Sequence, residues 1–381
     1  MKTAIIALTR NGTQTALRLA PKLDAAVYVK EEFSGVMDCL NKDVIYFEGP
    51  LHIVAGKIFN QYEALVFIMA CGIVVRTLAP LIKSKTSDPA VLVMDEKGKH
   101  VISLLSGHIG GANKLAARVA EIVGGTPVIT TSTDVNEVIS FDVFATENNC
   151  VIENISNLKY ISSDLVNGRK VGLFTDCKIK GKIPENIILI SNLSDEKINE
   201  VKSIVVFSDV LNLIKITDKN LINEAGFNSL NNELHFNENE KKILFIRPRN
   251  LIIGIGCKRG TTKEDIKSAL FDLLEKSNRS IHSIKCICTI DLKKDEAGLI
   301  ELRDELNLNL EIFRPDEIVK VQSHFEGSEF VKKIASVSCV AEPCALLGAT
   351  KGEMNGRIIC KKTIYKGITL AIAKEEHEYT L

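Results

Sequence analysis

Through the first third of the chain, apolar residues fall into short unbroken runs. Each is followed by polar residues or glycine, and several then give way to apolar positions at helical spacing. Ala4–Leu8 is the first run. Thr9–Thr13, with Gly12, predicts a polar turn, and Ala16, Leu17, Leu19 and Ala20 form a helical stripe ending near Pro21. An amphipathic segment follows over 50–60, then strands at Leu65–Ala70, Val91–Met94 and Val101–Leu105, the last two separated by a turn at Glu96–Gly98. A glycine-rich bend leads into a helix over about 111–123, and Pro127–Thr131 predicts the next strand. Strands apolar on both faces and alternating with helices predict a mostly parallel sheet covered on both sides.

From 141 to 246 the pattern weakens and Asn and Lys become frequent, with strands predicted at 170–174, 187–190 and 203–207. The polar tract Asn228–Lys242 reads as a linker or an exposed helix. A second α/β series starts at Ile243: a strand Leu251–Ile255, a helix over 262–276, a strand Ile284–Ile290, a helix near 294–306 and a strand Leu308–Phe313. Glu342 before Pro343 can start a further helix, and Arg357–Lys362 with Ile368–Ala373 predicts a terminal hairpin. The expected fold is α/β: two three-layer α/β domains with mostly parallel sheets, residues 1–138 and 247–381, joined by a smaller variable α/β middle region, residues 139–246.

Composition narrows the function classes. Of 381 residues, 45% are hydrophobic and 25% charged, enough apolar material for full cores, which excludes a disordered, collagenous or coiled-coil chain. Forty-eight basic residues balance 48 acidic ones. Cut at 140 and 246, the chain carries 14 basic against 13 acidic residues, then 12 against 15, then 22 against 20. No part has the excess that a sequence-independent grip on nucleic acid requires. The longest apolar run, Ala64–Val75, stops at Arg76 and is too short to cross a bilayer, so it reads as buried strand plus turn. Residues 1–9 lack a leader pattern, which predicts a cytoplasmic protein without membrane partners. The ten cysteines lack a CxxC pair and read as free thiols, with no metal site of the protein's own. Cys286 and Cys288, two apart in an apolar run, should point the same way on a strand.

Four clusters carry candidate chemistry. Cys71-Gly72-Ile73-Val74-Val75-Arg76 follows a buried strand, where a glycine turn would let backbone approach a ligand and Arg76 could grip a carboxylate in a bidentate bond, or simply be solvated. Asp88, before Pro89, is either a turn former or a general acid or base. The third cluster is Ser106-Gly107-His108-Ile109-Gly110-Gly111-Ala112-Asn113. Three glycines between a strand and a helix present backbone N–H groups at a helix N-terminus, and a histidine among them suits proton transfer beside a developing oxyanion. The spacing is neither a P-loop nor a dinucleotide turn. The fourth cluster, Gly254-Ile255-Gly256-Cys257-Lys258-Arg259-Gly260-Thr261-Thr262, is one residue longer than the dinucleotide fingerprint. Thr261 or Thr262 can cap the following helix, Lys258 and Arg259 add positive potential, and Cys257 is either a nucleophile or a packed thiol. Thr289-Ile290-Asp291-Leu292-Lys293 ends a neighbouring strand.

In this order the clusters resemble the CbiG family, the cobalt-precorrin-5A hydrolases of anaerobic cobalamin biosynthesis. The resemblance rests on Gly72-Ile-Val-Val-Arg76, Ser87-Asp88-Pro89-Ala90-Val91, Leu105 to Asn113, Thr131-Ser132-Thr133-Asp134, Gly254 to Thr261 and Thr289 to Lys293. It covers most of 60–135 and 250–373, and the C-terminal part also resembles stand-alone proteins of the aerobic pathway. The resemblance implies an enzyme that opens the ring A δ-lactone of a cobalt corrinoid and releases a two-carbon fragment as acetaldehyde. It implies no cofactor, because cobalt enters with the substrate, and at most transient contacts with neighbouring pathway enzymes.

A flat apolar disc fringed with carboxylates would suit a cleft between two α/β domains edged with Arg and Lys. On that reading Arg76, Lys258 and Arg259 are clamps, and the Gly110 and Gly111 amides face the lactone oxygen. His108 activates water with Asp88 or Asp134 as partner, and Gly107, Asn113, Gly256, Thr261 and Asp291 complete the substrate contacts. Two other classes stay open: a non-catalytic corrinoid carrier and a nucleotide-binding enzyme using the glycine loops.

Overall fold

The apolar runs of the first third pair, in the computed structural model, into one seven-stranded sheet. Its strands are β1 (Thr3–Ala7), β2 (Ala25–Lys30), β3 (Val44–Phe47), β4 (Ala64–Ile68), β5 (Ala90–Met94), β6 (His100–Leu105) and β7 (Thr126–Val128), in the order β3-β2-β1-β4-β5-β6-β7. The structure describes residues 1–34, 44–191, 196–211, 241–328, 336–351 and 355–381, in two compact units, Met1–Val138 and Ile139–Leu381.

Strand alternation divides the first unit's core. Ile5, Ala7, Val27, Val29, Val66, Ile68, Leu92 and Met94 face α1 (Arg10–Leu23) and α4 (Ala112–Val123). Ala4, Ile6, Leu65, Phe67, Val91 and Val93 face α2 (Leu51–Ile58) and α3 (Cys71–Leu78). Burial on both faces is why these strands are apolar throughout. The helix α1 begins earlier than its pattern predicts, because Thr9 Oγ1 accepts from Gly12 N and so caps the first turn. It also passes Pro21, and buried Leu19, Ala20 and Leu23 keep its last turn on the sheet. The run that continues to Val75 is not strand plus turn but β4 followed by α3, whose Val74 and Leu78, four apart, are buried.

One reversal of direction governs everything after β5. The strands from β3 to β5 are mutually parallel, but the tight turn after Met94 brings β6 back antiparallel, and β7 runs parallel to β6. Loops leaving β6 and β7 therefore emerge where β1, β4 and β5 begin.

The second unit holds two five-stranded sheets, a two-stranded one of β10 (Lys178–Lys180) and β19 (Glu378–Thr380), and, beside the first sheet, the helices α6 (Phe141–Glu147) and α7 (Leu158–Val166). The first has the order β11-β9-β12-β13-β8, from β8 (Cys150–Ile152), β9 (Val171–Thr175), β11 (Ile187–Ile190), β12 (Ser203–Phe207) and β13 (Lys242–Pro248). The strand β13 runs through position 246, and the tract from Asn228 lies, up to residue 240, outside the described residues. The second sheet has the order β16-β15-β14-β18-β17, from β14 (Leu251–Cys257), β15 (Ile284–Ile290), β16 (Asn309–Phe313), β17 (Asn355–Tyr365) and β18 (Ile368–Glu376). On one face pack α8 (Lys263–Lys276) and α9 (Ala297–Glu305); on the other lie α10 (Pro315–Gln322) and α11 (Ala341–Ala349). The fold is α/β with mostly parallel strands, as the periodicity predicts. Among the described residues, no helix is long and apolar enough to cross a membrane.

Charge joins the second unit's two five-stranded sheets. Asp209, fully buried just beyond β12, bonds Arg279 and Lys374, and it accepts from Asn250 Nδ2 at 3.2 Å. Arg247 on β13, 2% exposed, holds Glu153 at 2.6 Å and donates to the carbonyls of Ser208 and Val210. Removing Asp209 would take the buried partner from half-buried Arg279 and Lys374, the latter keeping only Asp176 at 3.5 Å, and a broken buried ion pair costs about 3–5 kcal/mol. Asp209→Ala should lower stability to denaturant by about that amount. Asp295→Ala, which removes an exposed partner of Arg259, should leave the unfolding midpoint unchanged.

Candidate active site

The loop after β6 is shaped by how little room it has. A Cβ at Gly107 would stand 2.7 Å from Asn113 Oδ1, and one at Gly110 would stand 2.4 Å from Ser106 Cβ. Both positions therefore need glycine for close approach. The loop spends much of its own backbone internally: Gly111 N donates to His108 O, Ala112 N to Ser106 O and Asn113 N to Gly107 O, at 2.9–3.1 Å. Gly111, at φ +83, caps α4. The expected pair of amides facing a ligand therefore loses Gly111, whose N–H closes the turn; the amide of Gly110 has no partner among the described residues.

His108 lies in this loop with its side chain 14% exposed, and its Nε2 is 2.7 Å from Asp134 Oδ2. Thr133 Oγ1 lies 3.0 Å from the same nitrogen. A carboxylate only accepts, so Nε2 carries the hydrogen, and the lone pair of the neutral ring is on Nδ1. Asp134 sits on the short helix α5 (Ser132–Val135) after β7, and is 37% exposed. Asn113 Nδ2 donates to the same Asp134 oxygen and to Thr131 Oγ1, both at 3.1 Å, while Asn113 Oδ1 accepts from Ser103 Oγ at 2.7 Å. The histidine loop and the Thr131–Asp134 segment, distant in sequence, thus form one hydrogen-bonded group. An oriented, partly exposed imidazole of this kind can accept a proton from water.

Asp88 belongs to the same rim of the sheet, since its carbonyl accepts from Ser106 Oγ at 2.9 Å. Its carboxylate, however, accepts from the backbone N–H of Lys83 and Ser84 at 2.9 and 3.0 Å, which is the turn-forming role. Of the two carboxylates expected as partners for His108, the geometry joins Asp134.

Arg76 is elsewhere. It lies on α3, not in a turn, and its Nη1 donates back to Gly72 O at 3.1 Å, near the end where β4 finishes. The reversal at β6 puts the His108 loop at the end where β4 begins, across strands of five residues, or about 17 Å.

The second unit gathers the remaining predicted residues. Since β14 and β15 are parallel, Gly256 to Thr261 and Asp291 to Lys293 leave the sheet at one rim. Glu296 binds them together: it accepts from Gly260 N at 2.6 Å through one oxygen and from Lys293 Nζ at 3.2 Å through the other. Arg259 pairs with Asp295 at 3.3 Å, and its guanidinium holds that exposed carboxyl below the usual carboxylate range. Thr261 Oγ1 donates to Lys258 O, and Thr262, not Thr261, caps α8 by accepting from Asp265 N. The stem of Lys258 lies beside Gly367, and no acidic partner faces its ammonium among the described residues. Gly256 O accepts from Thr369 Oγ1, and Asp291 Oδ1 is buried without a partner.

Burial pushes the Cys257 thiol up, with Glu296 adding to the rise against Lys293, which favours a packed thiol over a nucleophile. A Cβ at Gly254 would lie 1.8 Å from Ala341 O, so that glycine serves contact with α11 and not a dinucleotide. Cys286 and Cys288 do share a face, with sulfurs 3.8 Å apart and buried. Among the described residues no three His, Cys, Asp or Glu could hold a metal ion. A groove of about 710 Å3 runs along β16, lined by Leu310, Ile312, Phe313 and Lys351, and it contains none of the predicted site residues.

Ser103 and Glu296 lie outside every motif read from the sequence, and Thr133 and Lys293 stand inside such motifs without a role of their own. The signals were present but weak: a serine within an apolar strand, a hydroxyl next to an acid, and Lys and Glu three apart.

Family models match three stretches: Cobalamin synthesis G N-terminal over 54–134, the Cobalamin biosynthesis central region over 139–222 and Cobalamin synthesis G C-terminus over 251–373. A cobalt-precorrin-5A hydrolase of Salmonella typhimurium is 33% identical over 97% of this chain and 97% of its own. One from Priestia megaterium is 31% identical over 90% of this chain and 88% of its own. The crystal structure of a cobalamin biosynthesis protein G homolog from Sulfolobus solfataricus aligns at 21% identity and TM-score 0.37, over 99% of this chain and 97% of that one.

Substituting Gly107 by Ala should drive the Asn113 carboxamide from its bonds. Its Nδ2 protons, which their two hydrogen bonds should protect from exchange in the parent protein, should then exchange rapidly in NMR spectra.

Proposed function

The chain belongs to the Cobalamin synthesis G (CbiG) family, and from that premise we propose that it is a cobalt-precorrin-5A hydrolase whose base is His108. The observation that carries this reading is the 2.7 Å bond between His108 and Asp134, which orients a partly exposed imidazole beside the glycine loop. The unprotonated ring nitrogen takes a proton from water, and the resulting hydroxide attacks the carbonyl of the ring A δ-lactone. Asp134 stabilises the imidazolium that forms. The amide of Gly110 is suited to meet the developing oxyanion.

Collapse of the tetrahedral intermediate breaks the acyl–oxygen bond, leaving an acetate carboxylate on ring A and a hydroxyl on the former meso carbon. When that hydroxyl loses its proton, its carbon–oxygen bond becomes a carbonyl and the carbon–carbon bond to the macrocycle breaks. The electron pair passes into the conjugated ring, which takes up a proton, and acetaldehyde leaves. Overall, one water is consumed for each acetaldehyde released. Cobalt takes part as an atom of the substrate.

The peripheral carboxylates of such a substrate require cations. In the second unit the Lys258 ammonium, on the loop clipped by Glu296, is the group we assign to them. Arg259, already paired with Asp295, contributes positive potential without a free fork. Arg76 is not assigned to the chemistry at His108.

Anaerobic incubation with cobalt-precorrin-5A and trapping of acetaldehyde tests the reading, because a carrier would release none above background. His108→Ala should lower turnover by about 100- to 10,000-fold; an unchanged rate removes His108 from the role. Lys258→Ala should raise KM by about tenfold, the loss of one charged hydrogen bond, with kcat preserved.

A further inference from the structure

Asn113 is 6% exposed, which leaves it little surface to offer a ligand. Every polar atom of its side chain is engaged. Ser103 Oγ donates to Oδ1, and Nδ2 donates to Thr131 Oγ1 and Asp134 Oδ2. The Asp134 oxygen it reaches is the one that accepts from His108 Nε2. The amide cannot turn over, because its oxygen would then face a carboxylate that only accepts.

We propose that Asn113 is a positioning residue for His108, acting through Asp134, whose carboxylate also fixes the sense of the amide, and braced by Ser103, and not the substrate contact its place in the loop predicts. This deepens the hydrolytic reading above and rests on it for its kinetic consequences. A donor to Asp134 Oδ2 fixes the rotation of the carboxylate, and the carboxylate in turn fixes the ring plane and tautomer of the histidine. The absence of a Cβ at Gly107 is what admits the carboxamide beneath the loop.

The test combines the NMR titration of the His108 ring in substrate-free protein with anaerobic steady-state kinetics. Asn113→Asp adds negative charge beside the imidazole, which favours its protonated form. Its titration midpoint should therefore rise by about one pH unit. The acidic limb of the kcat/KM profile should move upward with it, since the neutral base then appears only at higher pH. Asn113→Ala should lower kcat by about 10- to 100-fold, the worth of one hydrogen bond to a charged group, with KM changed less than about twofold. Ser103→Ala, which keeps both Asn113 donors, should give a smaller loss in the same direction, and it serves should the Asn113 variants fail to fold.

An unmoved His108 midpoint in Asn113→Asp, or a rate loss in Asn113→Ala or Ser103→Ala carried wholly by KM, overturns the proposal. A shifted midpoint in Asn113→Asp with acetaldehyde release unaffected in every variant, His108→Ala included, supports the positioning role while removing His108 from the role of base.

Discussion

The carboxamide of Asn113 is the point on which the rim of the first unit depends. It joins β6, α4 and the segment after β7 through Ser103, its own helix and the Thr131–Asp134 pair. Four polar groups that would each cost free energy if buried alone are instead mutually satisfied. That closure holds Asp134 on His108, and it is possible only because residue 107 has no side chain. The glycines of this loop serve chiefly to let side chains pass beneath it, and only secondarily to expose amides.

Strand direction decides what can act together. Had β6 been parallel to β5, its loop would have stood beside the end of β4, with Arg76 in reach of His108. The short turn after Met94 forces an antiparallel pair and sends the loop to the other rim. In the second unit the opposite holds. Parallel β14 and β15 deliver Lys258 and Asp291 to one rim, and Glu296 ties their loops together. There the burial of Cys257, and the contact of Gly254 with Ala341, turn two residues that look chemical in sequence into packing elements.

Charge burial organises the second unit differently. Asp209 and Arg247 are almost wholly sequestered, each with more than one partner. Such groups are tolerable inside a protein only when paired, and pairing demands fixed geometry. The two five-stranded sheets of this unit are therefore joined by directional contacts, although the sequence around Asp209 carries no motif.

By itself the sequence determined most of the strands, though not β2, β3 or β8, and the longest helices, because burial on two faces writes continuous apolar runs and helical stripes that need no partner to be read. It also determined the glycine–histidine loop, the free thiols and the family, because these are local patterns. Tertiary structure alone decided that Asp134 and not Asp88 meets His108, that Gly111 spends its amide in a turn, and that Arg76 stands at the other rim. It alone made Asn113, Ser103 and Glu296 into supports. Each of these depends on which strand lies beside which and in what direction, and on hydrogen bonds between residues far apart in the chain. The spacing of residues along a sequence does not encode either one.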